Sequence, residues 1–545
     1  MKRLLSVAAL ALLSLSAWAQ PLQEKVAALS SKGPLGSSVV GISVRDASGK
    51  EIVSLGSGRK MVPGSNMKLI TTASALHSLG QDWRFKTGIG IVGTVTDGRL
   101  DGDVYIIGGG DPAIGVKDSI ALRPDALFWK WKSILREAGI TSINGRVVGD
   151  GRLWEGPLED AGWNYDDIGT YYGTGSSALS FYANTIDFQV SAGAPGSPVI
   201  IRQLYPSTPW LEVLNRTVTG PAGTGNSLYL FTTDISPRAE MRGTFATDRR
   251  PKTEHFSNKY GALTCALEFV ENLRRTGWEV TGGACDIDPT GRLRNTSFRI
   301  LEAAAPSGSI RILGTVDSPS LSLIARETNH RSDNFYAESM FRAMGETASG
   351  ISVYDSCRVA VLEVVEAVIG RPVRTEELRQ RDGSGLSRMD YVTPAFMSLF
   401  LKSMESSPAF GAFLHSLPNP GSEGTVKTLL RKASPADRSR IFLKSGSMDG
   451  ILCYSGYVFP AGTGTGAAGS AGTGTGTGAA GSAGIGTGAG AGTGAAGSAG
   501  IGTGTGAGAT VGADGPVTFS IMVNNATVDT PVLRAALEEI LLLLL

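Results

Sequence analysis

Apolar and polar side chains alternate through Ser38 to Val44 and again through Glu51 to Ser54, on either side of Asp46-Ala47-Ser48-Gly49. This pattern predicts strand, turn and strand. Met61-Val62-Pro63-Gly64 then breaks the chain, and Ser65 to Leu76 takes up helical spacing, so a helix is predicted to open at or near Ser65. From about residue 86 to 314 the pattern shortens to strand-like runs between Gly and Asp turns, such as Gly102 to Gly110 and Gly145 to Asp150. This predicts one or two β-rich units, carrying a helix-like segment at Ala262 to Arg275 and a strand-like Trp278-Glu279-Val280. From about 315 long helical patterns return, at Asp333 to Met344 and Asp355 to Ile369. The chain closes with strand-like Gly450 to Phe459 and Val517 to Asn524 and an amphipathic helix over Pro531 to Leu545. The overall expectation is an α+β multidomain protein.

Two segments stand apart from this pattern. Lys2-Arg3, the apolar run Leu4 to Leu15 and Ala17-Trp18-Ala19 before Gln20 read as a signal peptide over residues 1–19. The apolar run is well short of the roughly 20 residues a spanning helix needs, so the mature chain is expected to be exported, to periplasm or cell envelope, without a transmembrane segment. Residues 461–515 consist almost entirely of Gly, Ala, Thr and Ser, with Thr-Gly-Ala-Ala-Gly-Ser-Ala-Gly beginning at Thr465, Thr477 and Thr493. Such a tract is expected as an insertion at a hairpin tip, where added length costs closure entropy only slowly.

Composition narrows the function classes. With 42% hydrophobic and 18% charged residues among 545, the chain can bury large cores and is neither disordered nor collagen-like. Its 50 Lys+Arg against 49 Asp+Glu give no electrostatic reason to expect nucleic acid as a partner. Four cysteines, Cys265, Cys285, Cys357 and Cys453, permit three pairings; a link between Cys265 and Cys285, the nearest pair in sequence, is the one expected. The four histidines, His77, His255, His330 and His415, show no ligand spacing, so no metal site and no cofactor are expected, and His77 and His415 read as structural.

Three short motifs carry chemistry. Ser-x-x-Lys occurs at Ser57-Gly58-Arg59-Lys60 and at Ser65-Asn66-Met67-Lys68, but only Ser65 opens a helix, where positions i and i+3 share a face. Serine is a poor nucleophile without a base, and a lysine base must be neutral, through burial or a neighbouring cation. Lys444-Ser445-Gly446-Ser447 follows apolar Ile441-Phe442-Leu443 on a predicted strand and supplies such a cation. There Gly446 is expected to leave room for a substrate backbone, and Lys444 to receive a substrate carboxylate. The N–H groups of Ser65 and Ser447 are candidates for an oxyanion hole. Ser332-Asp333-Asn334 precedes a helix, with Ser332 placed to pass a proton to a leaving nitrogen and Asn334 to hold a substrate carbonyl. The second Ser-x-Asn, at Ser142-Ile143-Asn144-Gly145, reads as a turn.

In the chain order Ser-x-x-Lys, Ser-Asp-Asn, Lys-Ser-Gly the three motifs resemble those of the penicillin-recognising serine acyltransferases. The long separation of Ser65 from Ser332 resembles that of the class C low-molecular-mass penicillin-binding proteins, the D-alanyl-D-alanine carboxypeptidase/endopeptidases. Gly109-Gly110-Asp111-Pro112, Asp382 to Arg388 and Phe519 to Asn524 look like further segments of that family. Ser445 stands where Thr is usual and Asp390 where Asn is common. The resemblance implies a penicillin-binding transpeptidase/β-lactamase-like domain, an antiparallel sheet flanked by helices, split over residues 20–85 and 315–545 by an inserted β-rich region at 86–314. It implies catalytic Ser65, Lys68 and Ser332, substrate-binding Asn334, Lys444, Ser445, Gly446 and Ser447, peptidoglycan stem peptides as substrate and β-lactams as covalent inhibitors. Ser384 and Arg388 are expected at the site rim or in a Gly-rich turn, Asp111 in a turn, and Asp150 or Asp160 is a candidate for a substrate amine, the favoured alternative being a solvated loop acid. A serine β-lactamase and a non-catalytic cell-wall scaffold are the rival readings; the Glu-x-x-Leu-Asn of class A β-lactamases is missing.

Overall fold

A computed structural model describes residues 22–461 and 515–545. The signal segment lies outside the described residues, as does nearly all of the glycine-rich tract. Among the described residues no helix is long and apolar enough to cross a membrane.

The hairpin Val39–Arg45 and Glu51–Leu55 forms one end of a five-stranded antiparallel sheet that continues through Val517–Asn524 and Ile451–Val458 to an edge strand, Ile441–Met448. Period-2 alternation gives this sheet two apolar faces. Leu443, Tyr454 and Ile521 pack on one side against Leu537 and Ile540 of the final helix, Thr530–Leu542. Cys453, Tyr457 and Met522 face the other side and join the core built around the helix Met67–Leu79, against which Asn334–Ser349 and Tyr354–Ile369 are packed. The register pairs Val458 with Val517, so the glycine tract leaves the sheet at the end where the edge strand begins, and Ser447 lies at the opposite end.

Between these parts of the chain, Lys86–Thr96 and Arg99–Ile107 lie side by side in a mixed eight-stranded sheet, covered by helices Pro124–Glu137 and Gly261–Arg275. Smaller sheets carry residues 185–257 around a separate core of Phe188, Met241 and Phe245. Ser142–Asn144, expected as a turn, is instead a short strand parallel to Arg99–Asp101, because Ile143 is fully buried at that sheet's end. Trp278 to Val280 contributes only a single bridge, Ile143 to Val280; the strand follows at Gly283–Ile287 and contains Cys285.

The expected Cys265–Cys285 link is absent, and all four cysteines are free and buried among the described residues. The alternation within Gly283–Ile287 explains this. Ala284 faces the core that holds the helix and Cys265, which turns Cys285 to the opposite face beside Tyr105 and Val148. Two further expectations fail for a shared reason. Asp150 is buried and ion-paired with Arg152 at 2.6 Å, and Asp160 is buried against Arg358 at 2.5 Å and Arg381 at 3.2 Å, so neither acid is free to receive a substrate amine. Asp111 does shape a turn, its carboxylate accepting the Ala113 N–H at 2.8 Å.

Candidate active site

Pro63 ends the extended segment, and the chain turns through one 3₁₀ turn, Gly64–Asn66, into the α-helix Met67–Leu79. Ser65 therefore sits in the first turn, three residues before Lys68 and on its face. Lys68 is fully buried and its Nζ makes three hydrogen bonds: to Ser65 Oγ at 2.9 Å, to Asn334 Oδ1 at 2.6 Å and to the Ser384 carbonyl at 2.7 Å. Burial lowers its pKa to about 8, against the opposing pull of Asp382, Glu338, Asp333 and Asp390. A neutral amine has two N–H groups and one lone pair. The amide oxygen and the carbonyl take the two N–H groups, which leaves the lone pair for the Ser65 hydroxyl.

The other Ser-x-x-Lys is not a site. Ser57 Oγ bonds Ser54 Oγ at 2.8 Å, while Lys60 lies over the Tyr391 ring.

Ser332 closes the helix Leu321–Arg331 in the left-handed conformation, with φ 60°, and Asp333 caps the next helix by accepting the Tyr336 N–H. That sharp junction aims Ser332 and Asn334 into the same cleft. Asn334 is oriented by Lys68 on its oxygen and by the Tyr172 carbonyl, which accepts from Nδ2 at 2.9 Å. Tyr172 belongs to the 86–314 stretch and enters the site through its backbone.

Lys444 is also fully buried, with Nζ on Ser332 Oγ at 2.8 Å and on the Ser445 carbonyl at 2.7 Å. It stands behind Ser332 instead of opening onto the cleft. Burial and the charge of Lys68 push its pKa well below the usual lysine range. Gly446 lies on the same strand face two residues on, and here the expectation of room for substrate is corrected. A Cβ there would come within 2.3 Å of the Pro63 carbonyl and 3.1 Å of Ser65 N, so the missing side chain makes room for the Ser65 turn itself.

The edge position of this strand sets its backbone. Ile441 O accepts from Asn419 and Leu443 N donates to Pro418 O, so the odd-numbered residues turn their backbone groups off the sheet. By alternation Ser445 and Ser447 present theirs at the open edge. The Ser445 hydroxyl is also bonded to Thr425 Oγ1 at 2.8 Å. Ser65, Ser332, Asn334, Ser445 and Ser447 line one cleft of about 880 Å³, whose walls carry Asp166, Asp167 and Asp449 as well as Arg331, Arg388 and Arg534.

The loop behind Lys68 is the Asp382 to Arg388 segment, and it is held by Glu338, which motif reasoning did not single out. Gly385, at φ +78°, packs so closely on the Ser65 turn that a Cβ would lie 2.0 Å from the Gly64 carbonyl. Glu338 Oε1 accepts the Ser384 N–H and Oε2 the Gly383 N–H. Asp382 accepts from the N–H groups of Gly385 and Ser387 and from the Trp163 indole. Glu338 lies four residues after Asn334 on one helix face, a spacing that was readable. Burial, with Asp382 adding to it, raises the Glu338 pKa to about 8. Ser384 thus lies behind Lys68, with its carbonyl as its contribution to the site, while Arg388 does reach the rim. His77 bonds Ser407 Oγ, and no group of metal-ligating side chains occurs among the described residues.

A family model described as the D-Ala-D-Ala carboxypeptidase 3 (S13) family matches residues 22–543. The chain is 27% identical over 449 residues to a D-alanyl-D-alanine carboxypeptidase of Actinomadura sp., covering 80% of this chain and 78% of that one. It is 22% identical over 439 residues to the D-alanyl-D-alanine carboxypeptidase DacB of Haemophilus influenzae, covering 79% and 85%. Among solved structures, penicillin-binding protein 4 of Haemophilus influenzae superposes with a TM-score of 0.70 at 20% identity, covering 94% of this chain and 97% of that one. That likeness shows the fold: a penicillin-binding, β-lactamase-like α+β architecture with additional β-rich parts.

Proposed function

We propose, for a chain that belongs to the D-Ala-D-Ala carboxypeptidase 3 (S13) family, that Ser65 is the acylated nucleophile of a serine-type D-alanyl-D-alanine carboxypeptidase acting on peptidoglycan stem peptides. The observation that carries this reading is the buried Lys68 amine on Ser65 Oγ, fixed from behind by Asn334 and Ser384. Residues 20–85 and 315–545 then form the split catalytic domain, and 86–314 the insertion that contributes Tyr172 to it. The n-region, h-region and small-x-small site of residues 1–19 support export to the cell envelope.

Neutral Lys68 takes the Ser65 proton as Oγ adds to the carbonyl of the penultimate D-Ala. The N–H groups of Ser65 and Ser447 hold the oxyanion. The C–N bond breaks as Ser332 gives its hydroxyl proton to the leaving nitrogen and is reprotonated with the proton that Lys68 took from Ser65. In deacylation water adds to the acyl carbon, the again neutral Lys68 takes its proton, and that proton returns to Ser65 Oγ as the ester bond breaks. Thr425 and Ser445 present hydroxyls to the substrate's terminal carboxylate. The same attack on a D-Ala cross-bridge gives endopeptidase action, and a β-lactam carbonyl acylates Ser65 as a substrate mimic.

Intact mass after mixing the protein with benzylpenicillin tests this, with Ser65→Ala as control. An adduct that persists on the native protein and is missing from the variant is the expected result. Rapid gain and loss of the adduct with excess hydrolysed drug makes the protein a β-lactamase. No adduct on folded protein removes Ser65 from the mechanism.

A further inference from the structure

Beside the cleft the molecule carries a surface that the acyl transfer does not use. In the strand Tyr229–Phe231, Leu230 is buried in the core with Met241, which turns Tyr229 and Phe231 outward together. The neighbouring strand places Arg242 opposite Tyr229 and Glu240 opposite Phe231, and the third strand adds Leu214 beside Glu240. One face of this small sheet thus mixes aromatic rings with an Arg242–Glu240 pair closed at 2.6 Å. Tyr165 comes from a different part of the chain and stacks on Phe231, with ring centroids 5.0 Å apart and planes 29° apart. Tyr229 meets Phe231 edge-on, and Arg242 lies over the Phe231 ring. Tyr165 itself is 66% exposed.

We infer that Tyr165, Phe231 and Tyr229, with the adjoining Arg242–Glu240 pair, form a platform for the sugar rings of the glycan strand that bears the stem peptide. This rests on the peptidoglycan reading above. The platform is continuous with the cleft: Asn164 and Asp166, the two neighbours of Tyr165, both line the same cleft as Ser65. The geometry of the substrate demands such a surface. A bond about four residues out along a stem peptide lies at most roughly 15 Å from the sugar that carries it, so protein close to the cleft must meet the glycan. The chemistry fits a sugar better than a protein partner. The electron-rich face of an exposed ring accepts the C–H face of a pyranose, and a planar Arg–Glu pair beside it offers both donors and acceptors to hydroxyl and acetamido groups. A protein interface of standard size needs roughly 800 Å² per partner with an apolar centre, whereas this face is interleaved with charge.

The test uses full-length protein carrying Ser65→Ala and glycan strands stripped of their peptides, so binding is read without catalysis. Sedimentation with the strands is expected to retain the protein. Adding Tyr165→Ala with Phe231→Ala should weaken retention roughly fivefold or more, and Tyr165→Trp should preserve it. With Ser65 intact, the Tyr165→Ala variant should keep its penicillin acylation rate and its rate on a short D-Ala-D-Ala peptide within about twofold, while D-Ala release from whole sacculi falls. Strands that fail to bind, or that bind the Ala variants as well as the parent, overturn the platform. Equal rates of wild type and Tyr165→Ala on sacculi overturn it too. Absence of a penicillin adduct on wild type strikes the catalytic reading instead and leaves the strand-binding result to stand or fall alone.

Discussion

Glu338 accepts the N–H of Ser384 at 2.7 Å, and the carbonyl of Ser384 in turn accepts from Lys68 Nζ at 2.7 Å. One buried acid thereby fixes, through a single residue, where the Lys68 amine points. Glu338→Ala strands the Ser384 and Gly383 N–H groups, at a cost of about 1–3 kcal/mol each. It should lower the melting temperature and slow penicillin acylation by roughly 10- to 100-fold. Glu338→Gln keeps an acceptor for Ser384 and should recover most of both. An Ala variant that melts lower but acylates at the native rate would show that the loop needs no help to hold Lys68.

The three motifs were legible because each depends on local structure: a serine at a helix start, a serine and asparagine astride a helix junction, a lysine on a strand. What joins them was not legible. Tyr172 enters through a carbonyl that any residue would supply, and the Gly446 clearance reflects a turn far away in sequence. Asp160 reads as a loop acid because its arginine partners, Arg358 and Arg381, arrive some 200 residues later. The Cys265–Cys285 expectation failed at one alternation of a strand whose start was misplaced by a few residues.

The clearance at Gly446 makes a sharp prediction. A methyl group there meets the Pro63 carbonyl at 2.3 Å, backbone against backbone, and can be relieved only by moving the Ser65 turn or the edge strand. Such a shift is expected to cost about 100-fold in acylation rate, as misplacement by about 1 Å does. Overpacking should cost only about 1–3 kcal/mol of stability. Gly446→Ala that reacts with penicillin at the native rate would mean that the turn and strand are not held in register by this contact.

Arg342 tests how firmly the 86–314 stretch is tied to the helices that carry Lys68 and Asn334. It rises from the helix that Asn334 begins, is 1% exposed, and donates to the carbonyls of Glu155, Pro157, Ser176 and Ser352, with Trp154 and Tyr354 rings beside it. Arg342→Met leaves those carbonyls without their donor and should destabilise by about 3–5 kcal/mol in urea unfolding. Arg342→Lys should recover only part of this, since one ammonium cannot span the fork. Native-like unfolding of the Met variant would show that the two parts of the chain are held by apolar packing alone.

The rate of acylation should follow the neutral fraction of Lys68. A lysine base works only when deprotonated, and burial sets its pKa at about 8. The rate with benzylpenicillin should therefore rise about tenfold per pH unit up to that point and level off above it, leaving roughly a hundredth of the plateau at pH 6. The sign of the carboxylate effect follows. Of the acids that hold the proton on Lys68, Asp382 acts most strongly, so Asp382→Asn, which removes charge while keeping one oxygen to accept from the loop, should move the rising limb toward lower pH. A stopped-flow or mass-spectrometric pH series on both proteins decides it. A limb that is flat from pH 6 to 9, or that falls as pH rises, would remove Lys68 as the base that activates Ser65.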